Sequence, residues 1–84
     1  MPEVTLRWFA GAGAAAGTPE ERVRVPEGTR TGDLLDQACA RHGADLVRVL
    51  AACSVLVDGE LDAARTAVVP DGATVDVLPP FAGG

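Results

Sequence analysis

The stretch of sequence on which the predicted fold depends is Thr74-Val75-Asp76-Val77-Leu78-Pro79-Pro80-Phe81-Ala82-Gly83-Gly84. Val75 and Val77 alternate with Asp76, which is the period-two pattern of a strand with one buried face. Leu78 falls on the outer face together with Asp76. The strand must end there, because the two prolines that follow cannot donate the hydrogen bonds of a sheet. The sequence therefore predicts a folded domain over residues 1–78 and a flexible tail over residues 79–84.

The tail has the properties of a segment that is presented to another protein. The two prolines favour a stiff polyproline conformation, and Gly83 and Gly84 carry no side chain that would block entry into a narrow channel. Residues 79–84, when extended, span roughly 20 Å at about 3.3–3.6 Å each. A frayed terminus is the alternative. However, with 10 glycines in 84 residues, a terminal glycine pair has a chance probability of only roughly 0.014. We therefore interpret Gly84 as a presented carboxylate.

A second strand is predicted over residues 3–9, where Val4, Leu6 and Trp8 alternate with Thr5 and Arg7. Phe9, the last residue of this strand, lies on the outer face, so the outer face is not wholly polar at the end of the strand. The first and last strands of the chain have the most hydrophobic inner faces. Central strands of a sheet require such faces, so we expect these two strands to lie side by side and parallel in the middle of the sheet.

One main helix is predicted over about residues 31–42. Its apolar residues recur at helical spacing, Thr31 is the expected N-cap and Gly43 the expected C-cap. His42, the only histidine, lies in the last turn, where a cation interacts favourably with the helix dipole. This placement favours capping over catalysis. A second short turn is expected over residues 45–50.

The remaining segments are predicted as strands and connections. Residues 20–25 form an edge strand whose outward arginines discourage unwanted pairing, and residues 53–57 form a strand that leads into an Asp58-Gly59 hairpin turn. Residues 10–19 are mostly alanine and glycine and are expected to be a flexible connection with one helical turn. Residues 61–69 are expected to hold a short strand or an irregular connection. This order of elements predicts an α+β, β-grasp (ubiquitin-like) domain with a mixed sheet of four to five strands.

Composition argues against several classes of function. The net charge is −5, whereas a nucleic-acid-binding face is basic. Cys39 and Cys53 are too few for a disulfide scaffold and lack metal-ligand spacing, so we interpret them as small core residues. No apolar run of the sequence approaches the ~20 residues of a membrane span, and the N-terminus does not resemble a signal peptide. A cytoplasmic location is therefore expected.

With this order of elements, the chain resembles the ubiquitin-like sulfur carriers, above all the small subunit of molybdopterin synthase and, more distantly, the thiamine-pathway sulfur carrier. The resemblance covers essentially the whole chain and is most specific over residues 71–84. Two features depart from that family. The segment after the first strand holds only alanine and glycine, and Phe81 and Ala82 replace the usual Val and Ser or Thr. Similar carriers serve thiamine, cysteine and specialised-metabolite pathways, so the receiving pathway stays open.

The resemblance implies chemistry at the chain end. A ubiquitin-activating-like adenylyltransferase/sulfurtransferase, using ATP and Mg, would adenylate Gly84, and sulfur from a persulfide donor would convert it to a thiocarboxylate. The loaded tail, residues 79–83 with Gly84, would then insert into the active site of a sulfur-accepting enzyme, which for the molybdopterin pathway is the large subunit of molybdopterin synthase. The chain would be a sulfur-carrying co-substrate with no bound cofactor and no metal, not an enzyme.

Three further residues are candidates for contact with a partner. Phe81 is a candidate anchor for a partner pocket, since aromatic groups dominate interface energetics; a ring folded back onto the sheet is the alternative. Phe9 and Leu78 could extend an apolar docking patch. Two other classes of function stay open: a protein modifier that joins Gly84 to a lysine of a target, and an interaction module whose glycine pair is incidental.

Overall fold

Within residues 1–80, which the computed structural model describes, five strands form one mixed sheet and three segments are helical. The elements in chain order are β1 Glu3–Trp8, α1 Gly11–Ala16, β2 Glu20–Arg24, α2 Thr31–His42, α3 Ala44–Leu50, β3 Ser54–Val57, β4 Glu60–Leu61 and β5 Thr74–Leu78. The predicted α+β class, the mixed sheet and the main helix, here α2, are confirmed.

The first and last strands occupy the centre of the sheet, as predicted. The strand order is β2-β1-β5-β3-β4. β1 runs parallel to β5, with Leu6 opposite Val75 and Trp8 opposite Val77. The flanking pairs, β1 with β2 and β5 with β3, are antiparallel. This order leaves β2 at an edge of the sheet, where its outward arginines suit an exposed strand.

The core lies on one face of the central strands. Leu6, Val75 and Val77 are fully buried, and α2 contributes Leu34 and Ala38 to the same hydrophobic cluster. Burying an aliphatic side chain stabilises a fold by about 1.5–3 kcal/mol. The inner faces of the central strands are thus held firmly, while their outer faces remain available for other contacts.

Two turns set the register of the C-terminal strands. Asp58 and Gly59 have φ values of 48° and 85°, which matches the type I′ hairpin expected for this pair. The Asp58 N–H donates to the Thr74 carbonyl at 2.8 Å, and its carboxylate accepts the Thr74 N–H at 2.9 Å. Before β5, the Ala73 N–H donates to the Pro70 carbonyl at 3.1 Å. The Asp58-Gly59 turn lies where the sequence predicts it.

The segment after β1 differs from the prediction. In place of a flexible connection with a single turn, residues Gly11–Ala16 form helix α1, which buries Ala12 and Ala16 in the core. The small side chains permit close packing, since a Cβ atom on Gly13 would lie 2.9 Å from the Trp8 carbonyl oxygen. Gly17, with φ of 78°, ends the helix, as a glycine in the left-handed conformation commonly does.

Helix α2 has the predicted bounds, but its N-cap is Arg30 and not Thr31. Thr31 is fully buried as the first helical residue, and its hydroxyl donates to the Ala67 carbonyl at 3.3 Å. The Asp33 carboxylate accepts the Arg30 N–H at 3.3 Å, as an acidic residue at this position of a capping box does. The Thr31 hydroxyl therefore tethers the connection before β5 instead of capping the helix. The short turn expected after α2 is helix α3.

The connection between β4 and β5 is irregular. β4 contains only Glu60 and Leu61. The Asp62 carboxylate then accepts the N–H groups of Thr66 and Ala67 at 3.3 and 3.1 Å. The pKa of Asp62 is lowered by hydrogen bonds, among which the one with the Thr31 side chain has the largest effect. Within residues 1–80, no helix combines the length and the apolar character needed to cross a membrane.

Candidate functional site

The chain leaves the fold from the middle of the sheet. β5 pairs with β1 on one side and with β3 on the other, and Ser54 lies opposite Leu78 at the end of the ladder. Beyond β1, the Phe9 N–H donates to the Val77 carbonyl at 3.0 Å. The first proline after β5 is half-buried and the second is exposed. Strands on both sides therefore constrain the point at which the tail begins.

Residues 81–84, which include the predicted sulfur acceptor Gly84, lie outside the described residues. The roles assigned to them, and the division of the chain into a domain over residues 1–78 and a flexible tail, stay predictions. The structure describes four of the predicted site residues: Phe9, Leu78, Pro79 and Pro80.

An apolar groove begins where β5 ends, and it brings these four residues together. This exit groove has a volume of about 520 Å³ and is lined chiefly by Phe9, Ser54, Leu56, Leu78, Pro79 and Pro80. Ser54 is the one polar residue among those described in the lining. Phe9 stays 38% exposed at the rim. The groove is a concave, largely apolar surface suited to an apolar side chain.

Sequence reasoning missed Ser54 and Leu56 as members of this surface. The signal was present in β3, because Val55 is buried and its neighbours along a strand must face the other way. Leu56 lies opposite Leu61 of β4, and Leu61 is 64% exposed. The apolar surface therefore extends beyond the groove towards the β4 edge of the sheet.

An ion pair stands beside the rim of the exit groove. The Arg7 Nε and Nη2 atoms donate to the two carboxylate oxygens of Asp76 at 2.6 and 2.8 Å. The same guanidinium lies 5.4 Å from the centroid of the Phe9 ring, within cation–π range. The hydrogen bond and then the charge of Asp76 raise the pKa of Arg7. The bidentate pair holds a positive charge against the ring that forms the rim.

A second cluster joins β2 to the end of α2. The Glu21 carboxylate accepts hydrogen bonds from Arg41 at 2.6 Å and from His42 Nε2 at 2.7 Å. Burial acts to raise the pKa of Glu21, but the hydrogen bonds with Arg41 and His42 outweigh it and lower that pKa. The His42 ring also meets Trp8 edge-on, with centroids 6.3 Å apart. The one histidine thus bridges helix and sheet through a carboxylate.

The two cysteines pack against the core, as predicted. Cys39 and Cys53 are free thiols and partly buried. Burial raises the pKa of both, which leaves little thiolate near neutral pH. In the part of the chain that the structure describes, no group of three or more His, Cys, Asp or Glu residues could hold a metal ion.

A family model and several solved structures match the chain over nearly its whole length. The model described as the ThiS family matches residues 6–84. No curated protein gives a significant match. The putative molybdopterin converting factor, subunit 1, from Pyrococcus furiosus is 27% identical over 96% of this chain and 100% of that chain, with a TM-score of 0.85.

Two further structures support the same fold. SAMP1 from Haloferax volcanii is 28% identical over 98% of this chain and 99% of that chain, with a TM-score of 0.85. In the protein-protein complex of subunits 1 and 2 of molybdopterin-converting factor from Helicobacter pylori, a matching chain is 20% identical over 98% of this chain and 99% of that one, with a TM-score of 0.67. These likenesses confirm the predicted β-grasp fold.

Proposed function

The chain belongs to the ThiS family, and we propose that it is a sulfur carrier whose terminal Gly84 becomes a thiocarboxylate. The observation that carries the proposal is the exit of the chain from the sheet centre. β5 is paired with β1 up to Val77 and with β3 up to Leu78, and two prolines follow at once. Proline restricts the backbone of the segment and so lowers the cost of ordering it in a partner's channel. A terminal glycine pair beyond such a segment suits a narrow active site.

The proposed chemistry takes place on a separate activating enzyme. A Gly84 carboxylate oxygen attacks the α-phosphorus of ATP, and pyrophosphate leaves to give an acyl-adenylate. The terminal sulfur of a persulfide then attacks the carbonyl carbon, and AMP leaves with the electrons of the broken C–O bond. A thiol reductant cleaves the resulting S–S bond and releases the thiocarboxylate. ATP and magnesium belong to the activating enzyme, so the carrier is a co-substrate that contributes one reacting carbon.

The receiving pathway we propose is molybdopterin biosynthesis. The similarity to the putative subunit 1 of Pyrococcus furiosus, at 27% identity over 96% of the chain, supports this assignment. In that role the partner is the large subunit of molybdopterin synthase, and residues 79–84 would enter its active site. Thiamine, cysteine and specialised-metabolite pathways are the alternatives, each with a different sulfur-accepting enzyme.

Mass spectrometry tests the carrier chemistry directly. The full chain is incubated with ATP, magnesium, a cognate activating enzyme and a persulfide donor, and is then digested with trypsin. Arg65 is the last basic residue, so the terminal tryptic peptide spans residues 66–84. We expect this peptide to gain the mass that replacing one terminal oxygen atom by sulfur produces. No such product in the presence of an active enzyme would contradict the carrier function.

Deletion of Gly84 is the matched control. Gly84 follows the last residue of β5, Leu78, by six positions in the sequence, so we expect the melting temperature to stay unchanged while sulfur loading is lost. A fall in melting temperature would instead assign the tail a structural role. Loading that persists without Gly84 would place the acceptor elsewhere in the chain.

A protein modifier is the second candidate function, favoured by the similarity to SAMP1, a small archaeal modifier protein, at 28% identity. In this role the activated Gly84 carbonyl forms an isopeptide bond with the ε-amine of a target lysine. The chain itself contains no lysine, so chains of modifiers cannot grow on its side chains. A ladder of targets whose lysines carry residues 66–84 after trypsin digestion would support this function. Loading with sulfur and no such ladder would contradict it.

A further inference from the structure

The core does not hold Phe9 in place. Phe9 follows Trp8, the last residue of β1, and stays 38% exposed at the rim of the exit groove. Among the described residues, the hydrophobic cluster of the core does not include it. An exposed side chain changes rotamer freely and loses that freedom when a partner covers it. Any contact that orients the Phe9 ring in the free chain must therefore come from its neighbours on the outer face.

Arg7 supplies such a contact, and Asp76 in turn fixes Arg7. The guanidinium carbon of Arg7 lies 5.4 Å from the centroid of the Phe9 ring, where a cation is attracted to the ring face. Arg7 Nε and Nη2 donate to the two carboxylate oxygens of Asp76 at 2.6 and 2.8 Å, and such a bidentate pair fixes the guanidinium in position and orientation. Asp76 lies opposite Arg7 in the parallel ladder of β1 and β5. The two central strands of the sheet thus orient the ring.

This arrangement adds little to the stability of the fold. The Arg7 side chain is 46% exposed and that of Asp76 is 14% exposed. Ion pairs that water reaches are screened, and most of them contribute little to the free energy of unfolding. A cation–π contact at an exposed site is likewise weak. In an interface, by contrast, an aromatic ring that is already oriented strengthens binding, because its rotamer freedom is not lost on association.

Under the proposed function, on which this inference rests, the enzyme that activates Gly84 docks close to Phe9. Pro80 is the last residue that the structure describes, and the four residues after it span at most roughly 14 Å. An active site that holds the Gly84 carboxylate therefore lies within that distance of Pro80. Pro80 and Phe9 line the same groove, and an interface of ordinary size, about 800 Å² on each partner, extends over such a distance.

We propose that Arg7 is a positioning residue that presents the Phe9 ring, already oriented, to the activating enzyme. The matching surface of the enzyme is apolar where it meets the ring. It needs no countercharge beside the ring, because Asp76 already balances the charge of Arg7. Arg7 acts through Phe9 and takes no part in the chemistry at Gly84. It therefore affects the KM for the carrier, which reports binding, and leaves kcat unchanged.

Sulfur loading measured at several carrier concentrations tests the proposal. Arg7→Gln removes the cation and should raise the KM for the carrier about two- to fivefold with kcat unchanged, as expected for the loss of one exposed cation–π contact. Arg24→Gln is the matched control. It removes the same charge from the other end of the β1–β2 ladder, where Arg24 lies opposite Glu3, and should leave both constants unchanged. An unchanged KM for Arg7→Gln, an equal rise in both variants or a fall in kcat would overturn the proposal.

A double-mutant cycle with Phe9 separates positioning from direct contact. Arg7→Gln should raise KM in the unaltered chain and have no further effect in Phe9→Ala, where the ring that Arg7 orients is absent. A rise of the same size in both backgrounds would assign Arg7 a contact of its own with the enzyme. That result would overturn the positioning role.

NMR on the free chain tests the orientation of the ring without a partner. The couplings between the α and β protons of Phe9 should report a single χ1 rotamer in the unaltered chain and in Arg24→Gln, and averaged rotamers in Arg7→Gln. Averaged rotamers in the unaltered chain would overturn the proposal.

The positioning role and the carrier function fail by different results. Absence of sulfur loading contradicts the carrier function, and with it the part of the inference that concerns the enzyme. Normal loading, with a KM that Arg7→Gln leaves unchanged, overturns the positioning role alone.

Discussion

The outer face of the sheet has two halves of opposite character. In the β1–β2 half, Glu3 lies opposite Arg24, and Arg7 lies opposite Glu20. In the half formed by β5, β3 and β4, three leucines lie on the same face: Leu78, Leu56 and Leu61. The Arg7–Asp76 ion pair crosses the boundary between the halves.

The difference between the halves follows from what each must avoid or bind. β2 is an edge strand, and charges on an edge discourage pairing with another chain. The apolar half lies beside the chain exit, where the exposed surface can receive a side chain from a partner. One inner face supports both halves, so outer-face contacts can be altered without loss of the core. Four changes test this division.

The largest effect on stability is expected in the core, which lies on the inner face of the sheet beneath both halves. Leu6 is fully buried in β1, and Leu6→Ala should lower the free energy of unfolding by about 2–5 kcal/mol through lost burial and a cavity. Leu61→Ala, on the exposed outer face, should change it by at most about 0.5 kcal/mol. Urea unfolding monitored by Trp8 fluorescence measures both. Similar losses in the two variants would refute the division between inner and outer faces.

The next effect is expected at helix α1, next to the groove rim. Gly13→Ala should lower the free energy of unfolding by about 1–3 kcal/mol. The new Cβ has no room, because it would lie 2.9 Å from the Trp8 carbonyl oxygen. Gly11→Ala is the control, since nothing lies within 4 Å of a Cβ there; it should be neutral or stabilising by up to about 1 kcal/mol. NMR should show shifts at Phe9 for Gly13→Ala and none at Arg24. Shifts spread evenly over both halves would contradict this localisation.

A smaller, pH-dependent effect is expected at the Glu21 cluster, behind the charged half. The lowered pKa of Glu21 means that the unfolded chain binds this proton more readily than the folded chain. Its stabilising contribution is therefore present above the ordinary pKa of 4.5 and is lost as pH falls through the lower folded value. Melting temperatures measured from pH 6 downwards should fall less steeply for Glu21→Gln than for the unaltered chain. The exposed-turn control Glu27→Gln should keep the original slope; identical slopes in all three proteins would refute the prediction.

The smallest effect on stability is expected at the edge strand β2. A change there should nevertheless have a measurable effect on self-association of the chain. Arg22→Val makes the charged half more apolar and should change the free energy of unfolding by no more than about 0.5 kcal/mol. It should, however, promote concentration-dependent self-association through β2. Arg48→Val removes the same charge from helix α3 and should leave the chain as dispersed as before. Sedimentation velocity at several concentrations measures the self-association of both variants. Equal association would show that the lost net charge, and not the β2 edge, is responsible.

Much of the fold could be predicted because its strongest signals are periodic. The alternation in β1 and β5, the helical spacing of α2 and the Asp58-Gly59 pair each specify a local conformation. The central, parallel placement of β1 and β5 followed from their inner faces and is confirmed. The sequence signal for each of these features lies within a single element, among residues that are close together in the sequence.

The features that could not be predicted depend on tertiary contacts. Helix α1 has no large apolar residue to mark a buried side, and its place against Trp8 follows from how little space Gly13 occupies. Thr31 is a good capping residue by type, but its hydroxyl pairs with Ala67, which is distant in sequence. The exit groove combines residues from β3, from β5, from the segment after β1 and from the tail. Phe9 and Leu78 were predicted for it, whereas Leu56 becomes visible only when β3 is placed beside β5.

The central position of β5 also determines how the molecule responds to mechanical load. A partner that grips the end of the chain pulls along the axis of β5, which is hydrogen-bonded to β1 on one side and β3 on the other. The bonds run across that axis, so they are loaded together in shear and do not open one after another. A strand at the edge, such as β2, would have only one ladder to resist the same pull. Placing the exit strand in the middle lets the domain withstand a pull on the chain end without unravelling.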